Sequence, residues 1–179
     1  MSDNGLGNGE HNWSYKIAPY ERVINVPLII RGPGIPAGAR DDSFVLNVDL
    51  MPTLLVMAGV ARLPTDGAVI PSNRRRFLLE AMYYPRERGS VPTYCGIVTR
   101  RWKYVVYSPT PAQAPIVDAD LVHGDYEEEL YDRKRDPWEL TNVASSRPAR
   151  VQDLRAQLSN LCAPAPPDTT ARWWNAWAA

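Results

Sequence analysis

The sequence predicts an α/β fold in which part of a layered domain is followed by a small antiparallel sheet packed by a C-terminal helix. Three observations carry that prediction. A short apolar run at Val26 to Ile30 is followed by an apolar helical segment at Leu50 to Met57. From Phe77 the pattern changes to short aromatic and β-branched segments separated by turns. Val151, Leu154, Leu158 and Leu161 then recur at spacings of three, four and three, the face of a helix.

Each element has its local reason. Residues 1–14 are rich in Gly, Asn, Ser and Asp, which favour turns over regular structure. A short helix is predicted over Pro19 to Val23. Val26 to Ile30 reads as a buried strand with Pro27 near its start. The glycines and prolines of residues 32–38 make a loop, and Phe44 to Leu46 could form a brief strand. Asp49 offers an N-cap, Pro52 falls in the first turn, and Gly59 closes a helix over Leu50 to Met57. Apolar residues surround that helix axis, so burial is expected. Phe77 to Met82, Tyr94 to Thr99, Trp102 to Tyr107 and Glu128 to Tyr131 should pair as a four-stranded sheet. Pro109 to Gly124 reads as a surface loop. Ser145 or Ser146 can cap the last helix, with Pro148 in its first turn, and this helix should cover one sheet face. The expected organisation is residues 1–72 as part of a larger layered domain, 73–163 as the small-sheet subdomain, and 164–179 as a Pro- and Trp-rich tail.

Composition excludes several function classes. A content of 45% hydrophobic and 22% charged residues over 179 positions is that of an ordinary globular protein. Lys and Arg number 20 and Asp and Glu 20, and that balance argues against nucleic-acid binding, which needs excess cations. The basic runs at Arg74 to Arg76, Arg100 to Arg101 and Arg133 to Arg135 read as solvated faces. Val45 to Ala61, the most apolar stretch, is interrupted by Asn47, Asp49 and Pro52, so no membrane span is expected. The first residues lack the basic and apolar regions of a signal peptide, which leaves localisation unknown. Cys95 and Cys162 are too few for a disulfide framework and leave the redox compartment undecided.

Chemically capable groups crowd into the first sixteen residues. Asp3 and Asn4 are adjacent oxygen donors on one tight turn, of the type a hard cation such as calcium requires. His11 and Lys16 follow, one able to titrate near neutrality and the other a compact cation, a pair suited to an anionic ester. By composition alone an Asp-Asn-Gly segment is usually only a turn. The order of motifs raises it above that.

Ser2-Asp3-Asn4-Gly5, Gly9-Glu10-His11, Lys16 with Tyr20-Glu21, Val26 to Gly34, Asn47 to Leu54 and Ala58-Gly59-Val60 follow one another closely. Thr99 to Tyr104, Glu129 to Asp132 and Asp136 to Leu140 with Asn142 come later. This series resembles the second half of the sulfatases, a branch of the alkaline-phosphatase-like superfamily, and is most similar to its N-acetylglucosamine-6-sulfatase and arylsulfatase types. The resemblance implies a partial alkaline-phosphatase-like fold and a sulfuric ester hydrolase acting on a sulfated sugar or aryl sulfate. It implicates Asp3 and Asn4 as calcium ligands, Lys16 as a sulfate contact and His11 as a substrate contact. Calcium and Lys16 should then lie on opposite sides of the ester as fixed electrostatic stabilisers.

The family's nucleophile is a formylglycine made from the Cys or Ser of a Cys-x-Pro-x-Arg motif. Cys162-Ala163-Pro164-Ala165-Pro166 has Pro where that motif has Arg, and Cys95 does not match. The early acidic pair of the calcium site has no counterpart; Asp41-Asp42 reads as a solvated turn. The resemblance therefore implies a C-terminal fragment, inactive alone and prone to aggregate or oligomerise through unpaired apolar surface. Two other readings remain: a phosphonate or phosphodiester hydrolase of the same superfamily, and a non-catalytic binding module.

Overall fold

The computed structural model describes residues 1–12, 14–61, 63–81, 94–107, 127–159 and 161. Its centre is an antiparallel sheet of four strands: β3 (Arg76–Ala81), β4 (Tyr94–Thr99), β5 (Trp102–Tyr107) and β6 (Glu127–Asp132), neighbours in that order. β1 (Gly7–Asn8) and β2 (Ser14–Tyr15) form a separate two-residue ladder. The helices are α1 (Glu21–Ile24), α2 (Leu50–Met57) and α3 (Pro148–Ser159).

The inner strands β4 and β5 read as near-continuous apolar runs, the pattern of strands covered on both faces. Ile97, Val98, Tyr104 and Val105 are fully buried. In the β4–β5 register Cys95 lies opposite Val106 and Ile97 opposite Tyr104. These four, with Leu130, meet Val151, Leu154 and Leu158 of α3 in one apolar cluster, against which Leu161 also packs. The predicted helical spacing thus covers one face of the sheet, as expected. Alternation places Tyr94, Val105 and Tyr107 on the other face, where Ile17 packs. That face receives Ile17, Pro19, Tyr20 and Glu21.

Several local expectations need correction. Val26 to Ile30 is not a strand among the described residues, and Ile29 is 88% exposed. Phe44 to Leu46 forms no strand either. A strand exists only by pairing, and neither segment meets an adjacent edge. α2 spans the predicted residues, but it is not buried: Met51, Leu54, Val56 and Met57 are exposed. Its one inward side holds Pro52 and Thr53. Asp49 sits at the N-cap position without capping α2 through its side chain. Its buried carboxylate instead accepts from the Leu46 and Ala68 amides and from Arg74, at 2.8, 2.7 and 2.7 Å. The first helix is shifted from Pro19–Val23 to Glu21–Ile24. The Pro109 to Gly124 loop, Met82, Cys162 and the tail from 164 lie outside the described residues. No helix among the described residues is long and apolar enough to cross a membrane.

Candidate functional site

The site is built on the loop from Ser2 to Lys16, folded back on itself by the β1–β2 ladder with Gly7 opposite Tyr15 and Asn8 opposite Ser14. This return brings Lys16 Nζ to 3.6 Å from Asp3 Oδ2. The loop is clasped to α1 by the Gly5 amide, which donates to the Val23 carbonyl at 2.7 Å. A Cβ on Gly5 would lie 2.0 Å from the Arg22 carbonyl oxygen, so this approach admits only glycine. Asn47 donates its side-chain amide to the Asp3 carbonyl at 2.8 Å, tying the loop to the start of α2.

Asp3 keeps a carboxyl held below the ordinary carboxylate range, first by the Asn4 backbone N–H, then by the Ser2 hydroxyl and Lys16. Its side chain is 75% exposed, and it lines a cleft of about 980 Å³ together with Phe44, Leu46, Asn47 and Arg133. The Asn4 side-chain amide donates to the Gly5 carbonyl. Asp3 and Asn4 therefore offer hard oxygen donors of the type calcium takes. Among the described residues no group of three or more His, Cys, Asp and Glu could hold a metal ion.

His11 is engaged elsewhere. Its ring stacks on Tyr20 at 3.8 Å between centroids, meets the edge of Tyr131, and its Nε2 lies 3.2 Å from the Trp138 carbonyl oxygen. It lines a smaller cleft of about 240 Å³ with Arg22, Trp138 and Leu140. Asp41 and Asp42 line the larger cleft in a loop. Cys95 is buried on the α3 face and disulfide-bonded, which removes it as a nucleophile.

Set against known proteins, residues 9–163 match the family described as N-sulphoglucosamine sulphohydrolase, C-terminal. The chain belongs to the sulfatases. Arylsulfatase K of Bos taurus is 32% identical over 173 residues, covering 89% of this chain and 29% of that protein. N-acetylglucosamine-6-O-sulfatase of Bacteroides thetaiotaomicron is 34% identical over 157 residues, covering 79% and 25%. A solved structure of a protein in complex with its substrate D-glucosamine-2-N,6-O-disulfate superposes with a TM-score of 0.70 at 30% identity, covering 89% of this chain and 32% of that one. The sulfatase chain thus spans less than a third of these relatives, and its α/β architecture with the small antiparallel sheet is the one expected.

Within the sulfatase motifs, the pairing of several residues into a polar layer between sheet and loop went unread in the sequence. Lys103 is fully buried and pairs with Glu139 at 2.5 Å, while Arg133 pairs with Glu21 at 2.9 Å. Glu129 accepts from the Tyr20 and Tyr107 hydroxyls at 3.1 and 2.9 Å. Burial pushes the Glu129 carboxyl above its ordinary value, against the pull of those two hydroxyls. The folded sulfatase chain therefore binds this proton more tightly than the unfolded chain. The stability linked to it is complete below the ordinary carboxylate pKa of 4.5 and is lost as pH rises through the raised value. Glu129→Gln keeps an acceptor for both hydroxyls without the charge. It should raise the melting midpoint at pH 7, with the difference shrinking toward pH 4 in calorimetry. A difference that is constant with pH would refute the raised carboxyl.

Proposed function

We propose that this chain supplies the calcium and sulfate contacts of the C-terminal part of a sulfate-ester hydrolase acting on a sulfated sugar. The observation that carries the reading is the approach of Lys16 to Asp3 at 3.6 Å. The cation suited to a sulfate oxygen and the carboxylate suited to a hard metal share one loop return, where an anionic ester would need both. Asp3 and Asn4 would hold calcium together with further oxygen ligands, since the ion takes about six to eight, roughly three to four times the two they offer. When bound, the ion neutralises charge that develops on the sulfate oxygens. Lys16 holds the sulfate from the side of the loop, a compact cation that needs no reorganisation as charge shifts. His11, held by Tyr20 and the Trp138 carbonyl, contacts the sugar from the smaller cleft.

The substrate class is supported by the similarity to an N-acetylglucosamine-6-O-sulfatase and to a structure solved with a disulfated glucosamine as substrate. The nucleophile is a formylglycine outside this chain's motifs. Cys95 is disulfide-bonded and offers no thiol for that role. Exposed apolar residues of α2 and Ile29 support the same reading, because they offer a face for another layer of a sulfatase domain.

The test joins this chain to the N-terminal part of a sulfatase relative carrying mature formylglycine, with calcium present. Sulfate release from a glucosamine 6-sulfate is expected from the assembly and not from the chain alone. Faster turnover of an aryl phosphonate than of any sulfate would move the assignment to phosphonate hydrolysis. No sulfate release, with a chain that melts sharply as a monomer regardless of calcium, would favour a non-catalytic module.

A further inference from the structure

We propose that the small sheet positions Lys16 through two directional anchors, the Tyr94 hydroxyl at Ile17 and the buried Lys103–Glu139 pair at Pro19 and Glu21. Ile17 has φ of 79°, a left-handed conformation costly for a β-branched residue and kept only where the surroundings hold it. Here Tyr94 Oη donates to the Ile17 carbonyl at 2.6 Å. The Ile17 side chain packs with Tyr94, Val105 and Tyr107. The direction in which Lys16 leaves the sheet is therefore set by a strained residue that the sheet grips at both backbone and side chain.

The second anchor lies two to four residues further on. Lys103 Nζ donates to the Pro19 carbonyl at 2.9 Å and pairs with Glu139 Oε1 at 2.5 Å. The other Glu139 oxygen accepts the Glu21 amide at 2.9 Å. Lys103 and Glu139 are 0% and 1% exposed at their side chains. Apolar residues of similar size would stabilise such a site as well or better, so a buried pair is better explained by register than by stability. This pair fixes which residues of the Lys16 segment sit over β5. Its catalytic consequence rests on the reading of Lys16 as the sulfate contact; the anchoring does not.

Hydrogen–deuterium exchange with mass spectrometry on the full chain tests the anchoring. Tyr94→Phe keeps the ring and removes only the hydroxyl. Lys103→Met combined with Glu139→Gln removes both charges without leaving one unpaired. Exchange in the peptide covering residues 14–24 should rise about three- to tenfold in Tyr94→Phe, the span of one net hydrogen bond. Residues 94–107 should keep their protection in both variants. Equal loosening of the two peptides would overturn the proposal, because the groups would then support only the fold. No change over 14–24 in Tyr94→Phe would overturn it too, whether or not the double variant folds. In an active assembly Tyr94→Phe should also raise KM for the sulfate ester. If that assembly proves inactive, the sulfatase reading fails while the exchange result stands.

Discussion

Lys16→Ala, in an assembly that releases sulfate, is expected to lower kcat/KM by about 10²–10³-fold, the loss typical of one preorganised electrostatic contact. The fall should be accompanied by little change in stability. Lys16 and Asp3 are 43% and 75% exposed at their side chains, and exposed pairs contribute at most about 1 kcal/mol. A large kinetic loss with an unmoved melting midpoint separates a sulfate contact from a scaffold residue. Lys16→Arg should recover only part of the rate. The guanidinium keeps the charge but spreads it over a planar fork that does not fit the space of a compact ammonium. Steady-state sulfate release from the three proteins, set beside their melting curves, provides the check. Activity retained in Lys16→Ala would show that the cation at Asp3 serves the loop alone.

What was legible in the sequence divides along a physical line. β4, β5 and α2 fall on the predicted residues, because aromatic and β-branched runs and a Pro-bounded apolar segment are local signals. The face of α3 was equally legible, since three of its spaced apolar residues are the buried ones. Val26 to Ile30 failed because a strand needs a neighbour, and none of the described strands pairs with it. The burial of α2 failed for the same reason, since apolar composition shows what a helix can cover but not what covers it. Asp3 and Lys16 were singled out by residue type and motif order, and the structure brings their side chains within 3.6 Å. His11 was found by motif, yet its ring is held by Tyr20 and the Trp138 carbonyl. Lys103 was passed over as the polar residue of a strand. Its period-two relation to Val105 and Tyr107, both buried, was the available signal that it points into an apolar face.

The contrast between two leucines tests the division of the chain into a finished core and an open face. Leu158 is fully buried in the cluster between α3 and the sheet. Its truncation to Ala should cost about 2–5 kcal/mol, since both transfer energy and a cavity are involved. Leu54 is 60% exposed on α2, and its truncation in the chain alone should change stability by no more than about 0.5 kcal/mol. Denaturant unfolding of both variants at low concentration measures the difference. If Leu54→Ala costs as much as Leu158→Ala, the α2 face is covered in solution. The apolar neighbours Met51, Met57 and Val60 then make a second copy of the chain the expected cover. In that case the cost should grow with protein concentration, because the buried face belongs to an equilibrium between copies. If Leu54→Ala is neutral in the chain and costly only in the joined sulfatase, the face belongs to the catalytic domain. The exposed helix is then one side of an interface within a single folded unit.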